Sequence, residues 1–366
     1  MPSPDPKPMI TIRAATQADL PVLRDLLSDR DGEQRLEPAV RDHLMECDPE
    51  RFLAWIAFDG DEPVGITALY LRPLLFDGDV PAERSAGYWA HLYVRESHRS
   101  LMVYPQLVFA MTRGMREAGL DLLYTATRQP DVAAGHQKLG YRLVGTIPVR
   151  LLPLRPFRLL ARQKRLGPLA EALSPLGDRL WSLWRGLFRR TTGDGQTMEQ
   201  ITLEDGRIGE LVELMNRRGA GHVAQRWTTE HFRTRFKGAL DGEKYVIHVA
   251  CSDDRVLGGS IHRLAVRGNS VRTGVILDLV LSEGHEDLAG PMLSTLESRM
   301  LQDGADVILH LEGPGDPVGG GVLARGYRTA PDVYHLLVSP GGMVDPGSRA
   351  GDLSNWLFAF SDHDAF

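Results

Sequence analysis

The chain has 366 residues, 43% of them hydrophobic and 25% charged, a length that suits two domains of roughly 150 residues rather than one core. This composition excludes a disordered chain, and no apolar run reaches the roughly 18 residues a membrane-spanning helix needs. A net charge of −6 argues against bulk binding of nucleic acid, and two cysteines, Cys47 and Cys251, build no disulfide framework and fit a reducing, cytoplasmic setting.

Residues 1–8 hold four prolines and read as an extended lead without the apolar core of a signal peptide. Residues 9–13 alternate as a short strand. Thr16 with Asp19 then resembles a capping box ahead of a helix marked by Leu20, Leu23, Leu26 and Leu27. A polar helix is expected over 37–46. Residues 51–58 and 63–71 read as strands joined at Asp59-Gly60. Residues 73–84, rich in Pro, Gly and Asp, read as a loop. Residues 85–94 read as a strand with Trp89, His91 and Tyr93 on one face. Leu107, Val108, Met111 and Met115 mark a helix that Gly119 ends. A strand over 122–127, a short helix over 131–139 and an extended run over 141–152 follow.

The same order recurs. Helices are expected over 206–216 and 228–236, and strands over 245–252, 256–266 and 270–281. A helix over 288–301, a strand over 307–311, a short helix over 318–324 and strands over 333–338 and 356–360 close the chain. Gly140-Tyr141 returns as Gly326-Tyr327, 186 residues on. The expected fold class is therefore α/β, a mixed and largely antiparallel sheet with helices on both faces, laid down twice by divergent duplication.

His91-Leu92-Tyr93-Val94-Arg95-Glu96-Ser97-His98-Arg99-Ser100-Leu101-Met102-Val103-Tyr104, followed by a helix, resembles the phosphate turn of the GNAT acyltransferase superfamily. In that family the turn holds the coenzyme A pyrophosphate on backbone amides at a helix N-terminus, which the unpaired N–H groups and the helix dipole favour. The resemblance implies an acyl-CoA site, acetyl-CoA or a longer relative, formed by Val94, Arg99, Met102, Val103 and Tyr104. Met102 and Tyr104 replace the family's glycines, and their side chains stand where phosphates would approach. Gln129 to Tyr141 is similar to the family's cofactor-side helix, with Gln129 at its start and His136 where the family's acid tyrosine stands. The resemblance makes His136 the proton donor to the departing thiolate. No carboxylate lies on the strand before the turn, so His91 is the candidate base, with Glu83 behind it.

The second half offers Glu286 and Asp287 where the first offers Arg99, and Val322 where His136 stands. Carboxylates repel a pyrophosphate, so this half is expected not to bind coenzyme A in the usual way. Asp278, an acid in an apolar strand, reads as a hydrogen-bonded structural group or a buried functional one. Residues 313–321 are glycine-rich but lack a Walker lysine, and His363 lacks partners at ligand spacing, so neither a nucleotide loop nor a metal site is expected.

Between the halves, residues 148–190 carry ten Lys or Arg against two acids, interleaved with leucines, Trp181 and Trp184. Two short helices broken near Gly167-Pro168 and at Pro175 are expected. The segment either packs its apolar side between the domains or lies on an anionic membrane surface. The domains expected are 9–154, a GNAT-like unit with the acyl-CoA site; 155–196, the basic connector; and 197–366, a degenerate GNAT-like unit. Three functions are open: an acyltransferase acting on an amine, such as an amino sugar; a catalytically inactive binding or scaffolding protein, with a membrane surface as one setting for its connector; and aminoacyl transfer from a charged tRNA. The acidic body argues against the third, and no nucleic acid is expected as a partner.

Overall fold

Asp19 closes the first turn as the spacing predicts. Its carboxylate accepts from the Thr16 amide and hydroxyl, both at 2.8 Å, and from the Arg13 guanidinium at 2.7 Å. This ties strand β1 (Ile10–Ala14) to helix α1 (Leu20–Asp31). The computed structural model describes residues 10–31, 51–77, 81–99, 102–164, 167–188, 198–237, 245–252, 255–267, 270–314, 316, 318, 322–323, 325–339 and 349–363. The helix expected over 37–46 and the turn at 253–254 lie outside them, as does most of the short helix at 318–324.

The first arm of the sheet continues with β2 (Phe52–Asp59), β3 (Glu62–Asp77), β4 (Pro81–Val94), β5 (Leu122–Thr127) and β6 (Arg142–Pro153). Gly60 turns β2 into β3 with φ of 59°, a conformation glycine adopts without strain. The second arm has β7 (Met198–Ile201), the short β8 (Val223–Gln225), β9 (Val246–Ser252), β10 (Arg255–Arg267), β11 (Val271–Leu281), β12 (Val307–Leu311) and β13 (Arg328–Val338).

Among the described residues, thirteen strands join one sheet in the order β1-β2-β3-β4-β5-β13-β6-β12-β11-β10-β9-β7, with β8 on the flank of β3. Of their pairings, only β4–β5, β11–β12 and the isolated Val223–Trp356 bridge are parallel. The two arms thus have the same strand order, with their closing strands exchanged: β13 pairs with β5 and β6 pairs with β12. Gly140 and Gly326, at φ of 90° and 89°, precede β6 and β13 at matching places.

Helices cover both faces, because each strand sends alternate apolar residues to each. On the first arm α1 packs Leu23, Leu26 and Leu27 on Ile56, Ile66 and Ala68. On the opposite face α2 (Val103–Glu117) packs Leu107 and Met111 on Trp55, Val64 and Leu69. The short α3 (Pro130–Lys138) sits beside it. Between the arms come α4 (Pro156–Gln163) and α5 (Pro168–Phe188), and on the second arm α6 (Ile208–Gly219), α7 (Thr229–Phe236) and α8 (Ala289–Gln302). No helix among the described residues is long and apolar enough to cross a membrane.

Four sequence expectations need correction. Residues 73–77 and 81–84, expected as loop, instead extend β3 and β4 as paired strands, with Pro73 opposite Ser85 and Phe76 opposite Ala82; 78–80 lie outside the described residues. Pro81 opens its strand, where a missing N–H breaks no ladder. Pro175 does not break α5; it stays inside a helix of 21 residues. Residues 356–360 form no strand beyond a bridge from Trp356 to Val223. Their alternating aromatics are buried on both sides in the central core, beside Tyr124 and Tyr334.

The fourth correction concerns β4. Ala68 pairs with His91 and Leu69 with Trp89, so Ala90 is an extra residue without a β3 partner. This bulge reverses the alternation. Trp89 joins the α2 face, while His91 and Tyr93 turn to the α1 face. The second arm repeats the device: Ile261 pairs with Asp278 and His262 with Ile276, leaving Leu277 as the extra residue.

Candidate active-site cavity

Strands β4 and β5 bond only over Ala86–Tyr88 and Leu122–Tyr124, then part. The bulge at Ala90 bends β4 away at this point. A cavity of about 480 Å³ opens there, between residues 89–92 of β4 and residues 125–129 at the end of β5 and just beyond it. His136 of α3 closes one side and His91 another, while Tyr334 of β13 and His363 reach it from the second arm.

His136 is buried, and its ring lies 4.2 Å from the Trp89 ring. Trp89 is itself held by an indole N–H bond of 2.8 Å to the Thr67 hydroxyl. Burial lowers the His136 imidazole to about 4 and raises the Tyr104 phenol to about 12. The two groups meet at 2.9 Å through Nδ1. Both are therefore neutral at pH 7 and hold one proton between phenol oxygen and Nδ1. An imidazole titrating near neutrality, the premise of the sequence reading, is not what burial here permits.

On the other face, the His91 Nδ1 lies 3.4 Å from Arg30 Nη1, and Nε2 lies 3.0 Å from the Tyr70 hydroxyl. Arginine only donates, so Nδ1 accepts and Nε2 carries the proton toward Tyr70.

The cofactor-side residues divide. Gln129 lines the cavity with His91 and His136. Val94, Arg99, Met102 and Val103 form a separate turn at the start of α2, outside the lining. Arg99 is mostly exposed, donates to the Val94 carbonyl at 3.2 Å and lies 3.9 Å from Glu96. Met102 adopts the left-handed conformation, with φ of 59°, and points to solvent, 64% exposed. Val103 is buried. Tyr104 links this turn to the cavity through His136. The amides of Val103 and Tyr104 open the helix where no carbonyl of its own can pair them, and Pro105 supplies no N–H.

Tyr334, His363 and Arg30 were not marked by the sequence as site residues. Tyr334 and His363 stack edge to face at 4.8 Å, and no local motif announces either. They reach the cavity because β13 inserts between β5 and β6. Among the described residues no group of His, Cys, Asp or Glu has metal-binding geometry.

The second arm is built differently at the matching place. Asp278, which follows the bulge as His91 does in the first arm, pairs with Arg218 at 2.7 Å and accepts from Ser361 at 2.8 Å. Glu286 accepts from the Gly284 amide at 3.1 Å, so a carboxylate of the chain occupies the turn ahead of α8. Val322 is buried.

Residues 20–141 match the acetyltransferase (GNAT) family. None of the curated proteins matches the chain. Among solved structures, a probable N-acyltransferase of Enterococcus faecalis V583 is 10% identical, with 90% of this chain and 72% of that one covered at a TM-score of 0.62. A GCN5-related N-acetyltransferase from Anabaena variabilis ATCC 29413 is 11% identical, covering 91% and 73% at a TM-score of 0.61. Saccharomyces cerevisiae N-myristoyltransferase with bound myristoyl-CoA is 12% identical, covering 94% and 86% at a TM-score of 0.64. At these identities the likeness is one of fold, and it runs through both arms of the sheet.

Proposed function

We propose that the chain transfers an acyl group, acetyl in the simplest case, from acyl-coenzyme A to an amine. The observation that carries this reading is the cavity between the parted ends of β4 and β5, lined by His91, Gln129 and His136 and linked to the start of α2 through Tyr104. The GNAT match over 20–141 supports the same assignment. Arg99 and the amides of Val103 and Tyr104 would hold the pyrophosphate, with Val94 and Met102 shaping the turn. Gln129 would flank the pantetheine arm.

The amine nitrogen attacks the thioester carbonyl, a C–N bond forms, the C–S bond breaks and the amine loses one proton. The neutral Tyr104–His136 pair is placed to give a proton to the leaving thiolate. His91 would take the amine proton through water at Nδ1, its unprotonated nitrogen, once Arg30 yields its bond. An amine on a sugar is one acceptor that the fold analogy brings in. The second arm, with its carboxylate-capped turn, would shape the acceptor side through Tyr334 and His363.

The Tyr104–His136 contact also favours a second reading, a scaffold that binds without catalysing, because it bridges α2 and α3. Calorimetry separates the two. The acyltransferase requires acetyl-CoA binding by the wild type and its loss in Arg99→Glu. Absence of binding in both proteins, or equal binding in both, sinks the proposed pyrophosphate site. Single-turnover release of free thiol in wild type and Tyr104→Phe then separates catalysis from binding.

A further inference from the structure

Helix α5 lies at the surface with an uncovered leucine stripe. Leu169, Leu173, Leu176, Leu180 and Leu183 recur at spacings of four and three and are 77%, 60%, 63%, 70% and 68% exposed. At the helical rise the stripe is about 20 Å long. The opposite side of the helix is committed to the body. Ser174 and Asp178 are buried, Asp178 accepts from the Phe157 amide at 2.9 Å, and Trp181 donates to the Pro153 carbonyl at 3.2 Å. Gly177 lies against the Phe157 ring, closing α4 onto α5. Packing between the arms, one of the two readings of this segment, therefore leaves the stripe uncovered. Phe157 and Leu160 of α4, each about half exposed, widen the apolar face.

A second copy, another protein or a lipid surface would each cover such a face, and charge selects among them. Residues 148–190 carry ten basic residues and two acidic ones in a chain of net −6, and of the basic ones Arg150 and Arg162 are paired with Glu312 and Asp306 of the second arm. Lys164 and Arg179 are exposed in the same hairpin. Two copies meeting on this face would bring like charges together. An anionic bilayer surface accepts the leucines at its acyl boundary and the cations at its headgroups. The helix is not apolar enough to cross.

We propose that the α4–α5 hairpin docks flat on an anionic lipid surface, with the leucine stripe inserted and Lys164 and Arg179 among the headgroups. Strand β6 connects this platform to the cavity: Ile147 pairs with Tyr334, and Pro153 accepts from Trp181, about 20 Å further along the strand. The docking does not depend on acyl transfer.

The test is flotation of the full chain with vesicles of phosphatidylcholine alone and of phosphatidylcholine mixed with phosphatidylglycerol. Binding to the mixed vesicles is expected, weakened by salt and reduced about tenfold or more in Leu173→Glu/Leu180→Glu. A second variant, Lys164→Glu/Arg179→Glu, should lose the preference for phosphatidylglycerol. The thermal melts of both variants should match the wild type, because the altered side chains face water. Failure to float with the mixed vesicles, or equal flotation of wild type and the leucine variant, overturns the proposal. So does a wild-type dimer in light scattering without lipid that the leucine variant dissociates.

Discussion

Trp89 and His91 stand two residues apart on β4 and face opposite sides of the sheet, because Ala90 between them has no partner on β3. The relationship lets one strand supply both walls of the cavity. Trp89 supports His136 from the α2 side, and His91 approaches from the α1 side. Trp89→Ala removes a buried ring and a hydrogen bond, so a stability loss of about 3–5 kcal/mol is expected by urea denaturation. The imidazole it covers should also titrate differently. Water reaching His136 would raise its value from about 4 toward the ordinary 6.5. A histidine NMR titration unchanged by the substitution would mean that Trp89 does not exclude water from His136.

Met102 offers a sharper local test. Its φ of 59° costs an L-residue about 1 kcal/mol, and its exposed side chain returns little packing. Met102→Gly relieves that strain but gives the unfolded chain more freedom, so the melting temperature should stay level or rise slightly. Met102→Val places a β-branched residue at the same angles and should cost about 1–2 kcal/mol of stability, lowering the melting temperature. Equal melts for the two variants would argue that this turn is not left-handed.

Much of the fold could be read from residue spacing. The Thr16–Asp19 box, the Asp59-Gly60 turn, and the Gly140 and Gly326 stops occupy the places their local chemistry predicts. The bulge could not be read, because Tyr88 to Tyr93 alternates as well as any regular strand, and only pairing with β3 reveals the extra residue. The extended β3–β4 hairpin was hidden by Pro73 and Pro81, residues that usually mark loops. The far side of the cavity was hidden by distance in the chain. Tyr334 and His363 enter through a strand exchange that no local pattern encodes. His136 lines the cavity from α3, but its neutral state depends on Trp89 and Tyr104, which only folding brings together.

Asp278 resolves toward the structural of its two sequence readings. It is buried, paired with Arg218 and bonded to Ser361. Asp278→Ala leaves the Arg218 charge without its partner, and a loss of about 3–5 kcal/mol is expected in urea denaturation. The same change removes the anchor of the segment that carries His363 to the cavity. Acetyl-CoA calorimetry on any folded fraction should still show pyrophosphate binding, because that turn lies on the first arm. A stability change near zero would remove Asp278 as an anchor of that segment.

The pH dependence of stability follows from groups that burial holds away from their ordinary values. Burial lowers His136 to about 4 and His231 and His262 to about 3. In the unfolded chain each takes up its proton near 6.5. Between pH 6.5 and 4 the unfolded state therefore binds more protons, and stability falls as the solution is acidified through that window. Asp362 acts in the opposite sense. Burial raises it to about 7, so the folded state keeps a proton that the unfolded state loses above the ordinary 3.8, and this contribution grows as pH falls toward 4. Burial also raises Asp178 and lowers His222 and His248, so two carboxyls stand against five imidazoles and acid brings a net loss. His262 isolates the effect, because neither ring nitrogen has a hydrogen-bond partner and the ring stacks on His248 at 5.2 Å. His262→Leu removes the titrating group without removing a hydrogen bond. Its stability relative to wild type should improve by about 2 kcal/mol between pH 7.5 and pH 5 in urea denaturation. Parallel pH profiles for the two proteins would show that His262 titrates alike in the folded and unfolded chain, which a buried imidazole without partners cannot do.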